Sequence, residues 1–253
     1  MDPYYSDETV QLYLGDAREV LPALGITADC AVADPPYGGE TSLDWDTWPD
    51  GWLDTVAAHT SSLWCFGSMR MFLARSQEFA AAGWKLSQDV IWEKHNGSGF
   101  ASDRFKRVHE QVTHRYRGAW SGIHHDTPRE RVDEPSDKYR RSDVRAGIAH
   151  TGKIGAHNHV RDGTRLTRSV IKGRNLHGHS LHPTQKPTGL VSLLASYACP
   201  EGGLVLDPFA GSGSTLVAAR ETGRRAIGVE AHEPYAEAAA RRLAQDVLPL
   251  EAT

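Results

Sequence analysis

The chain has 253 residues, enough for one large α/β domain that carries an insertion. Its 28 Lys and Arg residues against 32 Asp and Glu give a net charge of −4, which argues against a general polyanion binder. The cysteines, Cys30, Cys65 and Cys199, are too few and too widely spaced for a disulfide framework. The N-terminus resembles no secretory signal and no apolar run approaches the roughly 20 residues of a membrane helix, so we expect a cytoplasmic protein without membrane association.

The first half of the chain alternates strand and helix patterns, which predicts a mostly parallel sheet. The patterns predict strands at 10–14, 30–33, 63–66, 84–93 and 110–116, and helices at 54–61 and 70–82. Another helix-like stretch follows Gly15-Asp16 and ends at 24. The last two strands follow each other without a helix, which favours an antiparallel hairpin at the sheet edge. Strand 30–33 is continuously apolar, as in a strand buried on both faces, and it leads directly into Asp34-Pro35-Pro36-Tyr37.

Residues 118–181 have a different character, with many Arg, His, Gly and Asp residues and no sustained period, which predicts an irregular or mobile insertion. Residues 121–180 contain 12 Lys and Arg against 7 Asp and Glu, whereas the rest of the chain is acidic. Such a split is expected when one segment faces nucleic acid, although a solvated polar loop has the same composition. The candidate DNA contacts are Arg140, Arg141, Arg145, Arg161, Arg165, Arg168, Lys172 and Arg174.

Order returns near the end of the chain with predicted helices at 187–197, 214–221 and 234–248 and strands at 203–206 and 225–229. The turn after strand 203–206 reads Asp207-Pro208-Phe209-Ala210-Gly211-Ser212-Gly213-Ser214-Thr215. Its glycines would let the backbone approach a ligand, and Glu230 follows the next strand, where it could accept hydrogen bonds from ribose hydroxyls. A dinucleotide fingerprint would require Gly or Ala where Leu216 stands, which argues against NAD. S-adenosylmethionine has a sulfonium, an ammonium and a ribose diol but no phosphate, so it suits the acidic Asp207 and the aromatic Phe209. An ordinary tight turn is the alternative.

The Asp34-Pro35-Pro36-Tyr37 motif fits methyl transfer to an exocyclic base amine. Such an amine is a poor nucleophile, and acceptors on its N–H bonds, here the Asp34 carboxylate and the Pro35 carbonyl, would make its lone pair available. The base must leave the duplex to be reached, and the Tyr37 ring could stack on it. A rigid Pro-Pro loop with an Asp cap is the alternative.

Together the two motifs resemble those of the β-group DNA amino-methyltransferases, in which the catalytic motif precedes the cofactor motif. Asp34-Pro35-Pro36-Tyr37 matches the family's DPPY, and residues 209–213 match its FxGxG. Residues 182–187 resemble its HPTQKP segment, which lies near the methionine moiety, and Gly15-Asp16 resembles a GD whose acid contacts the cofactor adenine. The stretch from Ile91-Trp92-Glu93-Lys94 through Arg104-Phe105 to His109-Glu110 resembles the segment before the family's target-recognition region.

The resemblance implies a Rossmann-like, seven-stranded, mostly parallel sheet in circularly permuted order. It implies a catalytic half over 1–118, an inserted target-recognition region over 119–181 and an S-adenosylmethionine-binding half over 182–253. Double-stranded DNA is the implied partner, with no metal, and the family often forms homodimers. The implied catalytic residues are Asp34, Pro35, Pro36 and Tyr37. The implied cofactor-binding residues are Asp16, Asp34, His182, Thr184, Lys186, Asp207, Phe209, Ala210, Gly211, Ser212, Gly213, Ser214, Thr215 and Glu230.

The predicted reaction is methylation of adenine N6, because DPPY is more usual for N6 whereas Ser commonly replaces Asp in cytosine N4 enzymes. Methylation of cytosine N4 is the alternative within this chemistry. The residues also leave open an RNA or protein-amide substrate, an NAD-dependent dehydrogenase, and a DNA-binding protein that kept the fold and lost catalysis. Histidine pairs such as His157 with His159 and His177 with His179 could bind a metal, but the predicted chemistry requires none.

Overall fold

A computed structural model of the chain describes residues 1–40, 46–98, 102–131, 164–173 and 186–245. The strands are β1 Tyr5–Ser6, β2 Val10–Leu14, β3 Cys30–Ala33, β4 Ser62–Gly67, β5 Lys85–Ser98, β6 Arg107–Tyr116, β7 Arg129–Arg131, β8 Thr164–Leu166, β9 Val170–Gly173, β10 Leu204–Asp207 and β11 Arg225–Glu230. The helices are α1 Ala17–Leu24, α2 Trp52–His59, α3 Met69–Ala74, α4 Ser76–Ala81, α5 Thr188–Ala198, α6 Ser214–Glu221 and α7 Glu233–Gln245.

Nine of these strands form one sheet in the order β1-β2-β11-β10-β3-β4-β6-β5-β9. The run from β2 to β4 is parallel, β6 is antiparallel to both β4 and β5, and β9 is parallel to β5. The seven predicted strands occupy the middle of the sheet, and β1 and β9 extend its edges. The predicted Rossmann-like α/β fold is therefore confirmed, with β10 and β11 from the end of the chain placed between β2 and β3 from its beginning.

Helices cover the sheet, and buried apolar residues form one core cluster on each side of it. One cluster includes Val32, Leu194 and Leu216, and the other includes Trp52 and Phe79. The four residues of β3 are all buried, as their continuous apolar run predicts. Within the described ranges no helix is long and apolar enough to cross a membrane.

The predicted helix over 70–82 was wrong in one respect, because it is divided into α3 and α4. Arg75 ends the first helix with φ of −103° and ψ of 7°, which lie outside the helical values. The Arg75 guanidinium lies 5.0 Å from the centre of the Trp48 ring, and its Nη1 donates to Glu78 Oε1 at 2.8 Å. The contact with Trp48 is tertiary and is not encoded in the local periodicity.

The insertion predicted to be irregular contains ordered elements. The second unit spans 127–168, of which the structure describes 127–131 and 164–168, and these residues contain the antiparallel pair of β7 and β8. β9 belongs instead to the large unit, where Val170 pairs with Ile91 of β5. Strands of three or four residues carry too little periodicity to be recognised, and β9 is fixed by pairing with the neighbouring strand.

Gly228 of β11 offers a test of how closely the strand packs under the turn that follows β10. A Cβ on Gly228 would lie 2.9 Å from Leu216 Cδ1 and 3.0 Å from Ala210 Cβ. Gly228→Ala should lower the free energy of unfolding by about 1–3 kcal/mol, because overpacking forces buried groups to shift. Chemical denaturation followed by circular dichroism measures this change.

Gly189 in α5 is the matched control, because an added Cβ there has no heavy atom within 4 Å. Gly189→Ala should leave the free energy of unfolding unchanged or raise it, since Ala is the better helix former. Equal losses in the two variants would contradict the packing argument.

Candidate active site

A cavity of about 690 Å³ lies where the parallel strands end, which is the usual ligand position in an open α/β sheet. It brings together the two sequence motifs, which lie more than 150 residues apart in the chain. The predicted site residues that line it are Asp16, Asp34, Pro35, Pro36, Tyr37, Lys186, Asp207, Phe209, Ala210, Gly211, Ser212, Ser214, Thr215 and Glu230. His182 and Thr184 lie outside the described residues.

Gly213 is the one predicted turn residue within the described ranges that does not line the cavity. It begins α6 with φ of +78°, and a Cβ on it would lie 3.2 Å from Ala239 Cβ of α7. The left-handed backbone and this close approach both favour glycine. Gly213 is therefore required by the turn and by helix packing.

Glu230 holds the glycine turn in place. Its Oε2 accepts a hydrogen bond from Gly211 N at 2.8 Å, and its Oε1 accepts one from His232 N at 2.8 Å. Burial raises the pKa of Glu230, and the two backbone donors oppose that rise. Each carboxylate oxygen can accept a second hydrogen bond, so the side chain can fix the turn and still contact a ligand.

Asp207 is the buried acid at the end of β10, and its Oδ1 accepts a hydrogen bond from Phe209 N at 2.9 Å. Burial raises its pKa to about 7, while hydrogen bonds from Thr215 and Phe209 oppose the rise and the charges of Asp34 and Glu230 add to it. Asp207 and Glu230 make this part of the cavity acidic, which favours a cationic group of a ligand here.

Asp16 lines the cavity but is already engaged as the N-cap of α1. Its Oδ1 accepts from Arg18 N at 2.8 Å, and the Arg18 guanidinium binds both carboxylate oxygens, with Nη2 2.5 Å from Oδ2. These hydrogen bonds hold the pKa of Asp16 below its usual value. If Asp16 contacts a cofactor adenine as predicted, the adenine and Arg18 would bind the same carboxylate.

Asp34 belongs to a buried cluster of charges. Its Oδ2 accepts a hydrogen bond from Lys186 Nζ at 2.5 Å, and its Oδ1 accepts one from Tyr37 Oη at 3.0 Å. Lys186 Nζ also lies 3.4 Å from Glu110 Oε2, and the other oxygen of Glu110 pairs with Lys94. Two carboxylates and two ammonium groups thus alternate along one chain of contacts.

The charges in this cluster shift one another's pKa values. Burial raises the pKa of Asp34, Lys186 lowers it in part, and the nearby carboxylate of Glu110 raises it further. Burial also acts to raise the pKa of Glu110, but Lys186 and Lys94 outweigh it and the net direction is downward. The protonation state of Asp34 therefore depends on Lys186 and Glu110, which do not belong to its own motif.

Sequence reasoning assigned no role to Glu110 or Lys94. Both lie in the stretch that resembles the segment before the recognition region, as part of His109-Glu110 and of Trp92-Glu93-Lys94. That resemblance was the available signal, but only the fold brings these strands beside Asp34. Lys186 was predicted to bind cofactor, and its described ion pairs are with Asp34 and Glu110.

The loop after Pro36 is anchored by Asp46, another residue that the sequence did not single out. Asp46 Oδ1 accepts hydrogen bonds from Tyr37 N at 2.8 Å and from Gly38 N at 3.0 Å. Gly38 and Gly39 have φ of +86° and +84°, a backbone that favours glycine. The anchored turn directs the Tyr37 hydroxyl onto Asp34.

Two tryptophans that follow the catalytic motif pack into the core. Trp48 and Trp52 are buried, and Trp48 Nε1 donates to Glu78 Oε2 at 2.7 Å. The Trp52 ring meets Phe209 edge to face at 5.2 Å between centres. Trp52 therefore supports the aromatic residue of the glycine turn from behind, whereas Trp45 lies outside the described residues.

Three of the predicted DNA contacts fall within the described residues. Arg165 Nε donates to Glu130 Oε1 at 2.7 Å, Arg168 is exposed, and Lys172 is exposed with its Nζ 3.7 Å from Glu93 Oε1. Arg140, Arg141, Arg145, Arg161 and Arg174 lie outside the described residues, as do the two histidine pairs. Among the residues that are described, no group of three or more His, Cys, Asp or Glu is arranged to hold a metal ion.

Comparison with known proteins decides the family. The N6/N4 DNA methylase family model matches residues 28–241, which include every acid of the cavity named above except Asp16. The chain belongs to this family. The resemblance of the two motifs to DNA amino-methyltransferases is thereby confirmed.

Individual relatives agree with this assignment. The chain is 27% identical to the Type II methyltransferase M.ScaI of Streptomyces caespitosus, over 95% of this chain and 83% of that protein. Among solved structures, the M1.HpyAVI–SAM complex has a TM-score of 0.64 at 22% identity, over 92% of this chain and 99% of that one. The cytosine-N4-specific PvuII DNA methyltransferase has a TM-score of 0.66 at 16% identity, over 100% of this chain and 91% of that one.

Proposed function

We propose that this DNA methylase transfers the methyl group of S-adenosylmethionine to the N6 amino group of an adenine flipped out of double-stranded DNA. One observation carries the proposal. A single cavity is lined by Asp34 and Tyr37, which suit a base amine, and by Asp207, Phe209 and Glu230, which suit the methyl donor. In this proposal residues 119–181 select the DNA sequence.

The residues present fit S-adenosylmethionine. The cavity volume is in the range of small-molecule sites, and its buried acids match the positive charges of the amino and sulfonium groups. Asp207 would hold the amino group, Glu230 would accept hydrogen bonds from the ribose hydroxyls, and Phe209 would pack against the cofactor. When bound, this cofactor supplies an electrophilic methyl group.

Asp34 prepares the base amine for attack. Its carboxylate accepts a hydrogen bond from an N–H group of the amine. This turns the nitrogen lone pair away from the ring and towards the methyl carbon. As the new N–C bond forms, the bond between the methyl carbon and the sulfonium sulfur would break, and its electron pair would leave on sulfur as S-adenosylhomocysteine. The amine proton passes to Asp34 or through it to solvent, so no covalent bond to the enzyme is needed. The low dielectric of the buried cluster strengthens this hydrogen bond.

Cytosine N4 is the second candidate for the methylated atom. It is favoured by the fold similarity to a methyltransferase that is cytosine-N4-specific. Adenine N6 is preferred because the motif carries Asp34, where cytosine enzymes of the resembled family commonly carry Ser. Homodimer formation also stays a prediction from that resemblance.

Expression of the chain in a methylation-deficient host tests the function directly. Digested DNA from these cells should contain N6-methyladenine, and Asp34→Ala should abolish it because the amine then has no carboxylate acceptor. Mass spectrometry of the nucleosides quantifies both modified bases, and long-read sequencing gives the recognition site.

Asp34→Ala must be purified and shown to melt cooperatively and to bind S-adenosylmethionine, so that its inactivity is not a folding defect. If N4-methylcytosine appears alone, the base assignment is wrong. If wild-type protein methylates no DNA in cells or when purified with cofactor, the proposed function fails.

Cofactor affinity should depend on pH through Asp207, whose pKa burial raises to about 7. Protonation removes the negative charge that attracts the amino group, so affinity should fall as the pH falls through 7. Isothermal titration calorimetry should give binding about fivefold weaker at pH 6 than at pH 7.

Asp207→Asn is the matched variant, because it keeps the size of the side chain and cannot ionise. It should bind the cofactor weakly at both pH values with little difference between them. An equal pH dependence in the two proteins would contradict the role of Asp207.

Lys186 and Glu110 act on Asp34 as positioning residues. The Lys186 ammonium fixes one carboxylate oxygen of Asp34, and Glu110 Oε2 lies 3.4 Å from the same ammonium. The groups that bear on the charge of Asp34 are Lys186, Glu110, Tyr37 and Asp207. Lys186 favours the ionised form of Asp34, and Glu110 favours the protonated form.

The two variants should therefore shift the pH–rate profile in opposite directions. Lys186→Gln raises the pKa of Asp34, so the acid limb of single-turnover methyl transfer should move to higher pH. Glu110→Gln removes a neighbouring negative charge, so the acid limb should move to lower pH. If both variants lose rate equally at every pH and the acid limb of neither profile moves, Lys186 and Glu110 have only a structural role.

A further inference from the structure

The connection between β5 and β6 carries a fully exposed aromatic residue at the edge of the cavity. Phe105 has an exposed fraction of 101%, and it lines the same cavity as Asp34 and Tyr37. Single exposed apolar side chains are common on protein surfaces, so exposure alone assigns no role. The informative feature is that a fully exposed ring lines the cavity that holds the catalytic residues.

Three cationic residues are neighbours of Phe105 along the chain. Arg104 and Lys106 flank Phe105, Arg107 follows, and all three are exposed. Arg104 pairs with Asp103, and Arg107 Nη1 lies 3.7 Å from Glu40 Oε2. The Arg104–Asp103 pair is exposed on both sides and contributes little stability, so this guanidinium group can exchange its partner for a phosphate, whereas the Glu40 side chain of the Arg107 pair is largely buried. An aromatic ring among cations at this edge matches a partner with negative charges and stacked rings.

A base that leaves a duplex creates a gap in the stack, and a protein ring that enters the gap replaces part of the lost stacking. We infer that Phe105 inserts into the DNA stack at the position vacated by the target base, with the flanking cations on adjacent phosphates. This inference rests on the proposed function and deepens it. Asp34 and Tyr37 receive the base inside the cavity while Phe105 fills the space that it left.

The test compares Phe105→Ala with wild type on duplexes that contain the recognition site found by sequencing. Loss of the ring should reduce kcat/KM by about tenfold on a fully paired duplex, as expected for one lost stacking contact. The reduction should be much smaller when the target base lies opposite an abasic site, because that base is already unpaired. Phe105→Tyr keeps the ring and should retain most of the activity.

Leu73→Ala is the matched control. Leu73 on α3 is also exposed, at 69%, and is absent from the described cavity lining. It should match wild type on both duplexes. A 2-aminopurine in place of the target base should brighten on binding to wild type and to Leu73→Ala, and brighten less with Phe105→Ala. Cofactor affinity measured by calorimetry should be equal in all four proteins.

The outcomes separate this inference from the function on which it rests. If Phe105→Ala lowers kcat/KM equally on paired and unpaired targets, the ring belongs to the wall around the flipped base and the proposed insertion is wrong. Activity of Phe105→Ala equal to wild type, or its loss of cofactor binding, would overturn it as well. A wild-type protein that methylates neither duplex overturns the proposed function itself.

Discussion

The parallel pairing of β3 with β10 is the constraint on which the site depends. Val205 pairs with Cys30 and Leu206 with Ala31, so both strands run in the same direction and end at the same edge of the sheet. Their carboxyl ends deliver Asp34 and Asp207 into one cavity, and β11, parallel to β10 on its other side, adds Glu230. The two motifs meet because of this strand order, since the chain between them is long.

Buried charges shape the rest of the cavity. Lys186 precedes α5, Glu110 lies on β6 and Lys94 on β5, and all three converge on or near Asp34. A buried charge without a partner is costly, so the alternation of acid and base keeps each group paired. The same pairing links the catalytic turn to strands outside its own motif. The position of Asp34 thus depends on β5, β6 and the residue before α5 as well as on its own turn.

Much of this fold could be predicted because its local signals are strong. Periodicity located the seven central strands, and the glycine turn predicted α6 with the bounds that the structure has. The break at Arg75 and the edge strand β9 were missed, because tertiary contacts and strand pairing determine them. Gly213 was predicted to approach a ligand, yet its φ and the closeness of α7 are what require glycine.

The sequence by itself determined the two motifs and the succession of strands and helices, since each depends on residues that are close together in the chain, and the order of the two motifs was enough to reveal the resemblance to the family. Only the tertiary structure decided that Lys186 and Glu110 bear on Asp34, that Asp46 anchors the Tyr37 turn, and that Phe105 stands exposed at the cavity edge. These facts depend on distances across strands and loops, and hydrophobic periodicity carries no information about such distances.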